Sequence, residues 1–381
     1  MTLLAPLGVY IHWPYCARIC PYCDFNVLRD RGRGAEQLAL KDAILADLRR
    51  HRELTGPREL TSIFLGGGTP SLMNPDWAGE MIALCQALWT PAPDLEITLE
   101  ANPTDAEAGR FSGFAAAGVQ RLSLGVQALD DASLTLLGRN HGADEARRAA
   151  ALGARVFPRL SLDLIYARPG QGVADWTAEI DATLAFEPDH LSPYQLTIEP
   201  GTAFDRAVRR GELVPPDDDL AADLYDTTQA RLEAAGFDAY EVSNHARGEA
   251  ARSRHNVAYW RGEDYLGAGP GAHGRVTLGG VRHARLTAKK VADYIGRVAE
   301  TGTGLVEDDP LDPREAALER LLMGLRVTDG LARAELGAHA PPEHRVRPLV
   351  EAGLLADDPL RLRATPRGRS LLDRLTLALA E

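Results

Sequence analysis

Cysteine is scarce in this sequence, and long apolar runs are missing. The 381 residues contain four cysteines, which is too few for the disulfide framework of a secreted domain. No apolar run approaches the ~18 residues that a membrane-spanning helix needs, and the first residues lack the basic region of a signal peptide. These absences predict a protein of the reducing cytoplasm.

An excess of positive charge is also missing. Lysine and arginine number 42 against 54 aspartate and glutamate residues, which gives a formal net charge of −12. Such a balance argues against a general nucleic-acid binder and against a polybasic membrane surface. We therefore expect no nucleic-acid partner and at most transient membrane association.

Short β-rich segments alternate with helical patterns over the first 200 residues. Strands are predicted at residues 9–13, 62–65, 95–100, 121–126, 160–166 and 190–198. Helices are predicted between them, at residues 36–52, 75–89, 104–117, 143–152 and 173–186. This repeated order predicts a parallel α/β sheet with right-handed crossovers, curled into a partial or full barrel. Functional groups of such a barrel lie at the C-terminal ends of its strands.

The later part of the chain has a different pattern. Residues 306–315 are rich in proline and acidic side chains and look like a linker. The residues after them predict a small, mainly helical domain that resembles a winged helix. We therefore divide the chain into a barrel (1–200), a barrel extension (201–305) and a C-terminal helical winged-helix-like domain (306–381).

A glycine-rich segment at residues 269–274, GPGAHG, fits the G-x-G-x-x-G pattern of dinucleotide sites. It lacks the strand–turn–helix context that such a site requires, and Pro270 interrupts it. We interpret it as a turn that approaches other backbone closely near the rim of the barrel.

Three of the four cysteines, Cys16, Cys20 and Cys23, are clustered after the first predicted strand. Structural zinc prefers four ligands, commonly from two separated pairs, so His12 would have to complete the set. Cys20 and Cys23 alone match a redox dithiol, which leaves Cys16 unexplained. A four-iron cubane held by three thiolates leaves one iron free for an exogenous ligand. The fourth cysteine, Cys85, lies on the apolar face of a helical pattern and is predicted to be a core residue.

The C-x3-C-x2-C spacing resembles that of the radical S-adenosylmethionine (SAM) enzymes. The surrounding segments resemble the family of oxygen-independent coproporphyrinogen III oxidase and its relatives. They include YIHWPYCARICPYCDFN, FLGGGTPSL, ITLEANP, RLSLGVQALD and YLGAGPGAHG. The resemblance implies a radical SAM partial (βα)6 TIM-like barrel, a [4Fe-4S] cluster and SAM. In that family the open iron binds the amino and carboxylate groups of SAM, and an electron from the cluster cleaves the sulfonium.

Positions that match the family imply roles for individual residues. Cys16, Cys20 and Cys23 are then the cluster ligands. The residues implied to contact SAM are Tyr10, Tyr22, Gly67, Gly68, Thr69, Glu100, Gln127, Arg139 and Asp163. Without the motif match, a salt-bridge network inside the barrel is the better explanation of Glu100 and Asp163.

Two functions share this scaffold in the family. The oxidase oxidatively decarboxylates two propionates of coproporphyrinogen III, and its motif has a further cysteine where this chain has Phe25. The HemW-type heme chaperones have phenylalanine there and hand heme to respiratory hemoproteins. Residues 255–260, HNVAYW, match a motif associated with heme binding in the chaperone branch. A neutral imidazole is a good axial ligand for heme iron, and Tyr259 and Trp260 would pack against the macrocycle.

We therefore predict a radical SAM heme chaperone that binds the cluster, SAM and heme and delivers heme to hemoproteins such as respiratory cytochromes. The alternatives are an oxygen-independent coproporphyrinogen III oxidase and a zinc-stabilised binding module. His255 is the predicted heme ligand, with His245 and His273 as rivals; from the residues alone, a satisfied loop histidine explains His255 better. The expected partners are heme, recipient hemoproteins and an electron donor, and the resemblance allows a homodimer.

Overall fold

Six parallel strands form the centre of a twelve-stranded sheet in the computed structural model, which describes residues 4–380. In chain order they are β1 (Pro6–Trp13), β2 (Glu59–Gly67), β3 (Thr90–Ala101), β4 (Arg121–Gln127), β5 (Arg159–Tyr166) and β6 (His190–Gln195). Each strand pairs in parallel with the next. This order confirms the predicted partial (βα)6 barrel.

Helices connect the strands and cover one face of the sheet. They are Gly34–Thr55 after β1, Pro75–Leu88 after β2, Asp105–Ala108 and Phe111–Ala116 after β3, Asp131–Leu136 and Ala143–Val156 after β4, and Val173–Leu184 after β5. The single helix predicted at 104–117 is in fact two short helices. The first ends at Ala108 and is followed by Gly109, a residue type with low helix propensity.

Alternate residues of each strand face opposite sides of the sheet. On β1, Leu7, Val9 and Ile11 are fully buried in the main hydrophobic core beneath the helices. Their neighbours Tyr10 and His12 face the inside of the curled sheet. The inside surface therefore carries the polar and aromatic groups of the strands, and the helices cover the aliphatic ones.

The sheet continues beyond β1 on its other edge. Strand β7 (Tyr265–Ala268) pairs in parallel with β1, and β8 (His273–Leu278), β9 (Val281–Thr287) and β10 (Leu305–Pro310) follow in antiparallel order. The prediction of a linker was wrong for residues 306–310, because they form β10. Beyond β6, short strands at His245–Ala246 and Asp238–Ala239 complete the sheet. Helices of this part are Ala203–Arg209, Asp218–Ala234, Arg254–Arg261 and Val291–Thr301.

The residues after β10 have a hydrophobic cluster of their own, which includes Leu321, Leu331 and Leu362. The helices of this part are Pro313–Gly324, Glu343–Glu351, Pro366–Arg369 and Leu372–Ala380. Two short strands, Leu331–Ala332 and Arg361–Leu362, pair in antiparallel order between them. The mainly helical character agrees with the prediction. Among residues 4–380, no helix has the length and apolarity needed to cross a bilayer.

Candidate functional site

The three clustered cysteines lie in the loop that follows β1. A short strand, Tyr15–Cys16, pairs with Leu28–Arg29 and closes this loop at its base. The Cys23 backbone N–H donates to the Cys20 carbonyl at 3.2 Å. Burial raises the pKa of the Cys16 thiol to about 11, and the nearby Cys23 and Cys20 add to that rise. The three thiols are therefore close enough to influence one another.

The fourth cysteine, Cys85, and His12, the residue that would have to complete a zinc site, are both held by other parts of the structure. Cys85 is fully buried in the hydrophobic core, as predicted. His12 contacts the Tyr10 hydroxyl through Nδ1 at 3.0 Å and the Asn26 carbonyl through Nε2 at 2.8 Å. In the described part of the chain, no group of three or more His, Cys, Asp or Glu side chains converges on one metal ion. Thiolates around a four-iron cluster are spaced more widely than the ligands of a single ion, so this arrangement is compatible with a cluster.

Arg139 reaches the cysteines from the loop between the helices Asp131–Leu136 and Ala143–Val156. Its Nη1 donates to the Cys20 sulfur and to the Tyr22 hydroxyl, both at 3.4 Å, and its Nη2 donates to the Gly125 carbonyl at 3.0 Å. Its Nε is buried and has no partner among the described residues. Arg139 therefore connects the end of β4 to the cysteine loop and supplies a positive charge that favours thiolates.

The glycine-rich turn after β2 packs directly against the same loop. A Cβ on Gly68 would lie 2.7 Å from the backbone of Pro14. Gly67 has a φ of +112°, and a Cβ there would lie 2.6 Å from the ring of His12. Only glycine fits such contacts. The next residue, Thr69, donates its N–H to the Tyr15 carbonyl at 2.8 Å, which ties the turn to the strand that ends in Cys16.

Two carboxylates face the inside of the sheet near this turn. Glu100 Oε2 accepts the Gly67 N–H at 3.0 Å, and Asp163 Oδ2 accepts the Ser123 hydroxyl at 2.9 Å. Burial raises the pKa of Glu100 to about 7, and the charge of Asp163 adds to the rise while Arg121 opposes it. Burial also raises the pKa of Asp163. These hydrogen bonds go to neutral donors, so the carboxylates remain available to a cationic ligand.

Gln127 ends β4 in an unusual conformation. Its φ is +65°, a left-handed value that residues other than glycine adopt rarely. Its Oε1 is buried without a hydrogen-bond partner among the described residues. A strained backbone and an unsatisfied buried oxygen are features that cluster at ligand sites. Gln127 is thus suited to accept a hydrogen bond from a bound molecule.

A cavity of about 680 Å³ opens beside these groups, inside the curled sheet. This volume is within the range of small-molecule sites. The residues that line it include Tyr10, Phe64, Glu100, His255, Tyr259 and Tyr265. One wall therefore adjoins the turn after β2, and the rest is mainly aromatic.

His255 lies in the aromatic wall with both ring nitrogens engaged. Its Nδ1 contacts the Ser62 hydroxyl at 3.3 Å, and its Nε2 contacts the Tyr259 hydroxyl at 2.8 Å. The ring stacks on Phe64 with 4.7 Å between the centroids. Burial lowers the pKa of His255 to about 3. The imidazole is therefore neutral, which is the form that binds a metal.

The HNVAYW segment divides between two surroundings. It forms the helix Arg254–Arg261, and His255 and Tyr259 both face the cavity. Trp260 packs instead against the C-terminal helices, where the Arg326 guanidinium lies 4.5 Å from its ring centroid. Trp260 does not line this cavity, because successive helical residues point in different directions, and its packing against a macrocycle stays a prediction.

The two rival histidines differ in position. His273 lines the cavity, at its exposed end. His245 is buried, and its Nε2 contacts the Gln229 side chain at 3.2 Å. The sequence reasoning did not single out Phe64 and Tyr265 as cavity residues. The alternation along β2, in which Phe64 follows Ser62 by two residues, is the signal that could have found the first of them.

Comparison with known proteins agrees with this geometry. The Radical SAM superfamily model matches residues 10–181, and the HemN C-terminal domain model matches residues 311–371. Radical S-adenosyl methionine domain-containing protein 1, mitochondrial, of Bos taurus is 41% identical over 98% of this chain and 87% of its own length. Heme chaperone HemW of Mycobacterium tuberculosis is 37% identical over 98% and 95%, and that of Escherichia coli is 40% identical over 75% of each chain.

A solved structure of coproporphyrinogen III oxidase (HemN) from Escherichia coli superimposes with a TM-score of 0.82. The match covers 99% of this chain and 90% of that one at 22% identity, so it demonstrates a shared fold. Membership of the superfamily implies a [4Fe-4S] cluster and SAM as cofactors. The chain belongs to the radical SAM superfamily and, within it, to the family of HemW-type heme chaperones.

Proposed function

We propose that this chain is a heme chaperone that binds heme in the cavity inside the curled sheet and delivers it to hemoproteins such as respiratory cytochromes. The observation that carries the proposal is the sequence identity of 37–40% between this chain and proteins named heme chaperone HemW, over most of the chain. The cavity supports it, because its aromatic wall includes a neutral imidazole, a ligand type that heme iron accepts.

We infer that Cys16, Cys20 and Cys23 hold a [4Fe-4S] cluster that leaves one iron open for SAM. A bound cluster supplies one electron to the sulfonium of SAM. The loop residues orient this site: Arg139 donates to Cys20, and the turn at Gly68 keeps its backbone against the strand that ends in Cys16.

The residues that we assign to SAM lie on strands β1 to β5 and in the segments that follow them. They are Tyr10, Tyr22, Gly67, Gly68, Thr69, Glu100, Gln127, Arg139 and Asp163. The unpaired Oε1 of Gln127 and the carboxylate of Glu100 are the groups best suited to a cation with hydroxyl donors. The absence of a Cβ at Gly67 and Gly68 lets the turn pack against the His12 ring and the Pro14 backbone, which holds the turn beside the cysteine loop.

His255 is the proposed axial ligand of heme. Its Nε2 must exchange the hydrogen bond to Tyr259 for a bond to iron, so ligation requires a local movement of the tyrosine. His273 is the second candidate, because it also lines the cavity. Phe25, which is 65% exposed and lies at the edge of the cavity, stands where the oxidase family has a cysteine.

The test of the proposal uses the full chain, reconstituted anaerobically with iron and sulfide. Titration with heme is followed by visible absorbance, and loaded protein is then mixed with an apo-cytochrome. We expect saturable heme binding, weaker binding by His255→Ala, and transfer of heme to the cytochrome. Conversion of coproporphyrinogen III to protoporphyrinogen IX at a useful rate would overturn the proposal in favour of the oxidase. The cytoplasmic location and the homodimer stay predictions.

A further inference from the structure

Asn102, immediately after β3, lies between two residues that contact the clustered cysteines. Its Nδ2 donates to the Thr69 hydroxyl oxygen at 2.9 Å, and its Oδ1 accepts a hydrogen bond from Arg139 Nη2. The orientation of the amide follows from these partners. Because a guanidinium has donors only, the amide oxygen must face Arg139 and the NH2 group must face Thr69.

The two hydrogen-bond partners of Asn102, Arg139 and Thr69, lie beside different cysteines. Arg139 Nη1 donates to the Cys20 sulfur at 3.4 Å. The Thr69 hydroxyl lies near enough to Cys16 to lower the pKa of that thiol, against the burial that raises it. Since the Thr69 oxygen already accepts from Asn102, its own hydrogen is free to point at the sulfur. One amide thus orients hydrogen-bond donors to two of the three thiols.

Glu107 holds Asn102 in place from the other side. Its carboxylate is 1% exposed and accepts the Asn102 backbone N–H at 3.0 Å. It also accepts the Thr104 hydroxyl at 3.2 Å and the Ser71 hydroxyl. Removing these donors from a buried carboxylate is costly. The segment after β3 is therefore fixed where the Asn102 amide can reach both Thr69 and Arg139.

We propose that Asn102 is a positioning residue that raises the reduction potential of the cluster through Thr69 and Arg139. Hydrogen bonds to cluster thiolates stabilise the reduced state, which carries one more negative charge, and the potential of a cluster depends on them. The proposal deepens the proposed function and rests on its assignment of a [4Fe-4S] cluster to the three cysteines.

The experiment measures the midpoint potential of the reconstituted cluster by redox titration followed by electron paramagnetic resonance. We expect Asn102→Ala to shift the potential to more negative values. Thr69→Val, which removes the hydroxyl at nearly constant shape, shifts it in the same direction, and Thr69→Ser keeps the wild-type potential. Asn74→Ala is the matched control: Asn74 caps the helix Pro75–Leu88 by accepting the Asp76 N–H at 3.0 Å, so its loss affects stability and leaves the potential unchanged.

The double variant Thr69→Val with Asn102→Ala should shift the potential by less than the sum of the single shifts, because both changes act on the same hydroxyl beside Cys16. A wild-type potential in fully iron-loaded Asn102→Ala overturns the proposal. If Asn102→Ala retains no cluster, the comparison of Thr69→Val with Thr69→Ser tests the proposal instead. Equal midpoint potentials for these two variants overturn the proposal. Wild-type protein that binds no iron would instead refute the cluster assignment itself, so the two failures are distinguishable.

Discussion

The Nε2 atom of His255 lies 2.8 Å from the hydroxyl oxygen of Tyr259, one turn further along the helix Arg254–Arg261. The other ring nitrogen contacts the Ser62 hydroxyl at 3.3 Å. This histidine is therefore satisfied by the protein itself while it forms part of the cavity wall. An incoming iron must compete with the tyrosine hydroxyl for the same nitrogen.

Tyr259→Phe removes that competitor and keeps the aromatic ring. We expect heme to bind more tightly, by about fivefold, because a typical hydrogen bond contributes about 1 kcal/mol net. Titration of the reconstituted protein with heme, followed by absorbance, measures the effect. His255→Ala should weaken binding, and His344→Ala, on the exposed face of a C-terminal helix, should not. Equal weakening by Tyr259→Phe and His255→Ala would contradict ligation through the Nε2 of His255.

Glu100 predicts a pH dependence for SAM binding. Burial and the charge of Asp163 raise its pKa to about 7, and Arg121 opposes the rise. Only the ionised carboxylate attracts the cationic sulfonium, so affinity should rise as the pH rises towards 7 and level off above it. Below about pH 7 the affinity for SAM should fall by up to about tenfold per pH unit, because Glu100 must lose one proton before it can attract the sulfonium.

Calorimetry under anaerobic conditions between about pH 6 and 8 tests this expectation. Glu100→Gln should bind SAM more weakly at the upper end and lose most of the pH dependence. Glu80→Gln is the control, because that carboxylate pairs with Lys41 on the surface at 2.8 Å. A Glu100→Gln profile that parallels the wild-type profile would exclude Glu100 as the titrating group.

The six central strands were predictable from sequence, and β10, at the edge of the sheet, was not. Strands such as β4 and β5 are apolar on the face beneath the helices, so their alternation and the intervening helices indicate a curled parallel sheet. Strand β10 reads LVEDDP and is exposed along almost all of its length. It is held by pairing with β9 at the edge of the sheet. Nothing in an acidic, proline-containing segment signals such pairing, because the partner lies elsewhere in the chain.

The site shows the same division between local and long-range information. The cysteine spacing and the glycine turn are local patterns, and both could be read directly. The cavity wall combines Phe64 from β2, His255 from a later helix and Tyr265 from β7. These residues are neighbours only because β7 pairs with β1, which itself pairs with β2. The direction of Trp260 likewise depended on where the C-terminal helices pack.

Gly68→Ala should disturb the cysteine loop. The added Cβ would lie 2.7 Å from the Pro14 backbone and 2.8 Å from the Tyr15 carbonyl oxygen, and neither group can rotate away. We expect a loss of about 1–3 kcal/mol in the free energy of unfolding and less iron bound per chain after reconstitution.

Gly79→Ala is the matched control for Gly68→Ala. Gly79 lies inside the helix Pro75–Leu88, and its added Cβ would lie 3.5 Å from the Ala117 Cβ, an ordinary contact. We expect full iron loading and a gain of up to about 1 kcal/mol in stability from better helix propensity. Urea unfolding and iron analysis of both variants decide the matter. Full iron loading of Gly68→Ala would show that the loop tolerates displacement of the turn.

Tyr294→Phe should destabilise the protein, although Tyr294 lies in the helix Val291–Thr301 and not in the cysteine loop. The Tyr294 hydroxyl donates to Asp47 Oδ2 at 2.7 Å and accepts the Gly269 N–H at 2.9 Å. Asp47 is fully buried, and it links the helix Gly34–Thr55 to the turn at Gly269. Without the hydroxyl, a buried carboxylate oxygen and a backbone N–H lose a partner. The free energy of unfolding should fall by about 1–3 kcal/mol.

The control for this change is Tyr225→Phe. Its hydroxyl is half-buried beside Arg369, so water can hydrate the site and the loss should stay below about 0.5 kcal/mol. Urea unfolding compares the two variants.

The turn at Gly269 also matters for the site, because the next carbonyl, that of Pro270, accepts from the Asn26 side chain at 2.9 Å. Tyr294→Phe should therefore lower iron loading as well as stability. Unchanged stability would mean that the buried Asp47 finds another donor when the hydroxyl is removed.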